Sequence, residues 1–120
     1  MDEILRNFAW SDKYSDESFI GLYHETCHWD DDEYFELEDS LYALANKLGG
    51  DLSLPRDVVW PIMRIYSYLM LTLGCVKDTN DIFTLEDITD EQFHARRERI
   101  QLVFEGFFSG KMPDRNILDY

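Results

Sequence analysis

Basic residues are scarce in this chain, and between Tyr14 and Asn46 there are none. That stretch carries ten carboxylates (Asp16, Glu17, Glu25, Asp30, Asp31, Asp32, Glu33, Glu36, Glu38 and Asp39) without one Lys or Arg. Over the whole chain 11 Lys and Arg stand against 25 Asp and Glu, a formal net charge of −14. Binding to a nucleic-acid backbone or an anionic membrane works through cations that displace counterions. The deficit therefore argues against both, and it points to a partner that supplies the positive charge.

Other absences narrow the class further. Cys27 and Cys75 are the only cysteines, so there is no framework of paired bridges of the secreted type, and the simplest expectation is reduced thiols in a cytoplasm. Met1 to Trp10 holds Asp2, Glu3 and Arg6 and lacks the apolar centre of a signal peptide. No run reaches the roughly eighteen apolar residues of a membrane span. Alternation of apolar and polar residues never persists and hairpin dipeptides are missing, so no strand is expected. Nor is there a phosphate-binding glycine loop, a nucleophile elbow or a paired CxxC motif. Neither an enzyme nor a cofactor is called for.

What is present is a chain of 120 residues, 45% hydrophobic and 15% aromatic, which is too apolar to stay unfolded and suits a single domain over 1–120. Four helices are expected to fill most of it. The first begins after Ser15 as cap, stops near Trp29 and turns Phe19, Leu22, Tyr23 and Thr26 or Cys27 inward. The second is capped by the Asp30-Asp31-Asp32 run, repeats Tyr34, Leu37, Leu41, Leu44, Ala45 and Leu48 at helical spacing, and ends at Gly49-Gly50. The third has Pro55 at its first position. It is apolar from Val58 to Leu73 except for Arg64, Ser67 and Thr72, which predicts the most buried element of the fold. Pro61 should kink it or mark its true start, and Gly74 should end it. Cys75 to Ile88 reads as a polar link anchored by Ile82, Phe83 and Leu85. Thr89 and Gln92 form a capping box for a last helix that reaches Ser109 and stops at Gly110, with Phe93, Ile100, Val103, Phe104 and Phe107 inside. The tail from Lys111 either folds back or frays. The fold class is therefore all-α, a compact four- to five-helix bundle around a buried central helix.

Three constellations could carry chemistry. His24 and His28 lie four apart with Cys27 between them, a spacing that could share a metal, but no further ligand is dictated and packing at a polar boundary explains them as well. The Asp30 to Glu33 cluster fails as a calcium loop, because Phe35 and Leu41 occupy the positions that need Gly and Glu; Asp78 to Thr89 fails likewise at Phe83. No metal site is assigned. Paired carboxylates for acid-base work would need a pocket that linear spacing does not show.

The interaction reading is stronger. Asp32, Glu36 and Asp39 fall at i, i+4 and i+7 of the second helix, an outward acidic stripe with Glu33 beside it and Tyr34 or Phe35 at its edge. A solvated helix face would ordinarily mix signs through i,i+4 pairs, and this one does not. Asp30, Asp31, Asp32, Glu33, Tyr34, Glu36 and Asp39 are accordingly the candidate partner-binding residues. Trp10, Trp29, Tyr34 and Tyr42 are candidate aromatic anchors. Arg96, Arg97 and Arg99 could pair with the acidic helix within the molecule or across a homodimer.

With Arg6-Asn7-Phe8-Ala9-Trp10-Ser11-Asp12 at its start, the acidic stretch from Asp30 to Asp39 and the Leu54-Pro55-Arg56-Asp57 helix start, the chain resembles the immunity proteins of bacterial polymorphic-toxin and contact-dependent inhibition systems. The resemblance implies a cytoplasmic antitoxin, encoded after its toxin, that binds one cognate toxin domain, often a nuclease, and blocks its active site or substrate path. The acidic stripe would then occupy a basic groove built for phosphates. The alternative is an acidic secretion chaperone or adaptor holding a basic client. A metal-dependent hydrolase using His24 and His28 is a third.

Overall fold

The computed structural model describes residues 1–51, 53–75 and 88–118, and every regular element among them is helical. In chain order these are α1 (Asp2–Arg6), α2 (Phe19–Thr26), α3 (Asp31–Leu48), α4 (Arg56–Cys75) and α5 (Asp90–Ser109), followed by a 3₁₀ turn over Arg115–Ile117. The bundle expected from the sequence is present. The anchor at Ile82, Phe83 and Leu85, and most of the segment from Asp78 to Thr89, lie outside the described residues.

Capping chemistry explains why the two clearest helices begin and end where they do. The Asp30 carboxylate accepts from the Glu33 amide at 3.0 Å, and α3 ends at Gly49, whose φ of +58° favours glycine. At the start of α5 the Thr89 hydroxyl accepts from the Gln92 amide at 3.1 Å while the Gln92 side chain accepts from the Thr89 amide at 3.0 Å, the reciprocal box that the sequence predicts. Gly110, in the left-handed region, closes the helix.

The first third departs from expectation. A five-residue helix, α1, precedes the one predicted to be first; it inserts Ile4 fully into the core, and one buried residue is too few to show periodicity. The cap of α2 is Ser18 and not Ser15: the Ser18 hydroxyl accepts from Gly21 N at 3.0 Å and donates to Ser15 O at 2.8 Å. Asn7, almost wholly buried, ties the two elements together, donating to Glu3 O and accepting from Ile20 N, each at 2.9 Å. Phe19 and Tyr23 point inward as expected, joined by Ile20, whereas Thr26 is exposed.

The core is aromatic on the α2–α3 side, where Phe19 meets Trp29 and Tyr34 edge-on, and mixed where α4 and α5 pack, with Ile62, Ile65, Leu69, Leu73, Ile100 and Val103 beside Phe104, which stacks on Tyr66 at 5.3 Å. The five inward residues expected of α5 are all buried. α4 starts at Arg56 and runs through Pro61, so that proline is not its beginning. The bond the ring omits belongs to the carbonyl of Asp57, a residue exposed to water. The helix is less enclosed than its composition suggests. Its opposite face leaves Trp60 49%, Met63 41% and Leu71 70% exposed, because no other described element covers that side.

Candidate partner-binding face

Residues at i, i+4 and i+7 of α3 share one side of the helix, and Asp32, Glu36 and Asp39 are all exposed there. Around them the acidic run divides by what each carboxylate touches. Asp30 is spent on the helix cap. Asp31 receives Arg96 of α5 in a two-point contact at 2.9 and 3.2 Å. Glu33 meets Arg6 of α1 at 3.3 Å, an arginine also held by Glu3 at 2.8 Å. The hydrogen bond from Arg6 to Glu3, more than any other contact, raises the pKa of that guanidinium. Asp39 accepts from Arg115 at 2.6 Å while keeping most of its side chain in water. Among the described residues, Asp32 and Glu36 make no ion pair.

Tyr34 is corrected by the structure. Its exposure is 0%, so it anchors the core and does not border the stripe; its hydroxyl donates to Glu38 at 2.9 Å. Trp29 is likewise buried, Tyr42 is half-buried with its hydroxyl donating to Pro113 O at 2.7 Å, and of the four aromatic candidates only Trp10, at 65%, is well exposed.

Beneath the stripe lies a group that counting charges does not reveal. Glu38 is fully buried, and its two oxygens accept from Arg99 of α5 at 2.7 Å each, from Arg115 of the tail at 2.7 and 3.1 Å and from Tyr34. Burial pushes its carboxyl up, but the bonds from Arg99, Tyr34 and Arg115 outweigh that and hold it below the usual carboxylate value. The signal was in the helical phase: Glu38 follows Tyr34 by four residues and precedes Leu41 by three, on the buried side. The tail therefore folds back over α3, with Arg115 also stacked on the Tyr42 ring at 4.6 Å. Two of the three α5 arginines pair inside the molecule, Arg96 with Asp31 and Arg99 with Glu38.

The two histidines do not share a helix face. α2 ends at Thr26 and Cys27 adopts a left-handed conformation, so His28 falls beyond the helical register of His24. His24 Nδ1 instead bonds the Tyr68 hydroxyl at 2.6 Å, and His28 lies 3.9 Å from Asp30. Among the described residues, no cluster of three or more His, Cys, Asp or Glu is placed to hold a metal ion.

A second surface escaped the sequence because Trp60 sits in an apolar run that reads as core. On the outer side of α4, Trp60 stacks on Trp10 at 5.5 Å, and the Arg64 guanidinium lies 4.8 Å over the Trp10 ring. Arg64 also lines a cleft of about 190 Å³ with Ala9, Ile20, His24, Ile65 and Tyr68. Among the described residues no helix is long and apolar enough to cross a membrane.

Comparison with protein families finds a match to the model described as Immunity protein 41 over residues 6–114. The chain belongs to that family. No curated protein and no solved structure matches it.

Proposed function

We propose, from membership in the Immunity protein 41 family, that this protein neutralises its cognate toxin by binding without turnover, and that the toxin is a basic nuclease whose substrate groove receives the outer face of α3. Immunity proteins act on a toxin; the finer assignment is supported by one observation. Asp32 and Glu36 stand exposed in line with Asp39, and the first two have no cation of their own among the described residues, although the same chain has drawn Asp31, Glu33 and Glu38 into internal pairs. Carboxylates at helical spacing would lie along a groove where phosphates otherwise sit, and the toxin's Lys and Arg would lose their nucleic acid to them. Complementary charge of this kind sets orientation and association rate more than affinity. The site of action would be the cytoplasm, in a polymorphic-toxin or contact-dependent inhibition system.

The test is the double charge reversal Asp32→Lys with Glu36→Lys, which leaves the internal pairs of α3 intact. Expressed beside the toxin domain encoded next to this gene, the variant should keep its fold by circular dichroism yet lose protection, with the association rate down by about tenfold or more. Protection equal to the parent would remove this face from the mechanism.

A further inference from the structure

Arg64, like Arg56 and Arg97, makes no ion pair among the described residues, and it lies over an aromatic ring. Arg6, Arg96, Arg99 and Arg115 each pair with Asp or Glu, whereas no carboxylate among the described residues lies within ion-pair distance of Arg64. Its guanidinium is held instead against the Trp10 indole, which fixes its position while its N–H donors make no hydrogen bond to the described residues. Trp10 is itself stacked on Trp60, and Phe8 meets both rings edge-on at 5.9 Å, so the rings brace one another while both tryptophans stay exposed. Beside it the cleft has apolar walls in Ile20 and Ile65 and a polar end where His24 bonds Tyr68. At about 190 Å³ it is smaller than the roughly 300–1,000 Å³ of small-molecule sites and suits one inserted side chain.

Tryptophan and arginine around a pocket are the composition of an interface hot spot, and the sign of the exposed charge is opposite to that of the α3 stripe. We infer that the Trp10–Trp60–Arg64 platform and its cleft form a second contact for the cognate toxin, taking a segment in which an Asp or Glu side chain neighbours a large apolar one. The carboxylate meets Arg64 and the apolar side chain enters the cleft. A second copy of this chain is the poorer occupant, since it would bring together two molecules of charge −14. The inference rests on toxin binding but not on the α3 face.

The experiment measures association and dissociation of the catalytically inactivated toxin domain encoded next to this gene, with the parent, Trp60→Ala, Arg64→Glu, Arg64→Lys and the Asp32→Lys/Glu36→Lys variant. Both Trp60 and Arg64 are exposed, so the fold should survive, as checked by thermal melting. Arg64→Glu and Trp60→Ala are expected to weaken binding by about tenfold or more, chiefly through faster dissociation, with Arg64→Lys intermediate because it keeps charge but loses the planar stack. Parent-like binding by both Arg64→Glu and Trp60→Ala overturns the inference. So does a parent dimer in solution that Trp60→Ala converts to monomer, or a parent that forms no complex. Loss with Arg64→Glu alongside unchanged binding by the α3 variant would retain this contact and discard the proposed acidic one.

Discussion

Among the described residues Glu38 is the buried carboxylate on which two arginines converge. Tyr34 bonds it as well, and removing its charge takes from the buried Arg99 a charge partner that it holds at two points. Breaking a buried pair from one side costs about 3–5 kcal/mol, far above the value of an exposed pair. Glu38→Gln should therefore lower unfolding stability by about 3 kcal/mol in urea titration, while Lys13→Ala, which breaks only the exposed pair with Asp2, should be near neutral. The pH dependence has a definite sign. Because the folded pKa of Glu38 is depressed, the unfolded chain binds this proton first as pH falls. The stabilisation is complete above the ordinary glutamate value of about 4.3 and is lost as pH drops from there through the lower folded value. In Glu38→Gln that part of the acid slope should be missing. Charge counting does not separate Glu38 from the exposed acids, since a total says nothing of direction; the phase shared with Tyr34 and Leu41 does.

At the level of elements, close approach and capping decide what can change. A Cβ added at Gly21 would stand 2.4 Å from Ser15 O and 2.6 Å from Asp16 O, backbone atoms that cannot swing aside, so α2 would have to leave the loop that its own Ser18 cap and the Asn7–Ile20 bond hold in place. Gly74, near the end of α4, has nothing among the described residues within 4 Å of that position. The same substitution should thus act oppositely at the two sites. Gly21→Ala is expected to destabilise by about 1–3 kcal/mol or more, and Gly74→Ala to be neutral or stabilising by up to about 1 kcal/mol, read from thermal unfolding. α3 and α5 were legible because each joins a long inward repeat to a side-chain cap and a terminal glycine. α1 was not, being too short for a stripe, and the start of α2 was misplaced by three residues because Ser15 and Ser18 offer the same hydroxyl. For α4 the apolar run predicted enclosure, yet burial depends on what covers a face, and sequence periodicity cannot supply the covering element.

For the whole molecule, net charge was legible and its distribution was not. The cations that neutralise parts of α3 arrive from 27, 65 and 76 residues away in the chain, so no local window could show that Asp32 and Glu36 keep their charge outward while Asp31 does not. The same surplus should have two separable consequences. With 25 acidic residues against 11 basic ones, the folded chain repels itself, and added salt should raise its melting temperature by screening that repulsion. On the proposed function, capture of a basic toxin would depend on the same field at longer range. Raising ionic strength from about 0.1 M to 1 M shortens the screening length from about 10 Å to 3 Å, so the association rate should fall by about tenfold or more while dissociation changes little. Stopped-flow association and thermal melts in one salt series would read both. A melting temperature that climbs with salt alongside a flat association rate would mean that the charge serves the free protein and not the encounter.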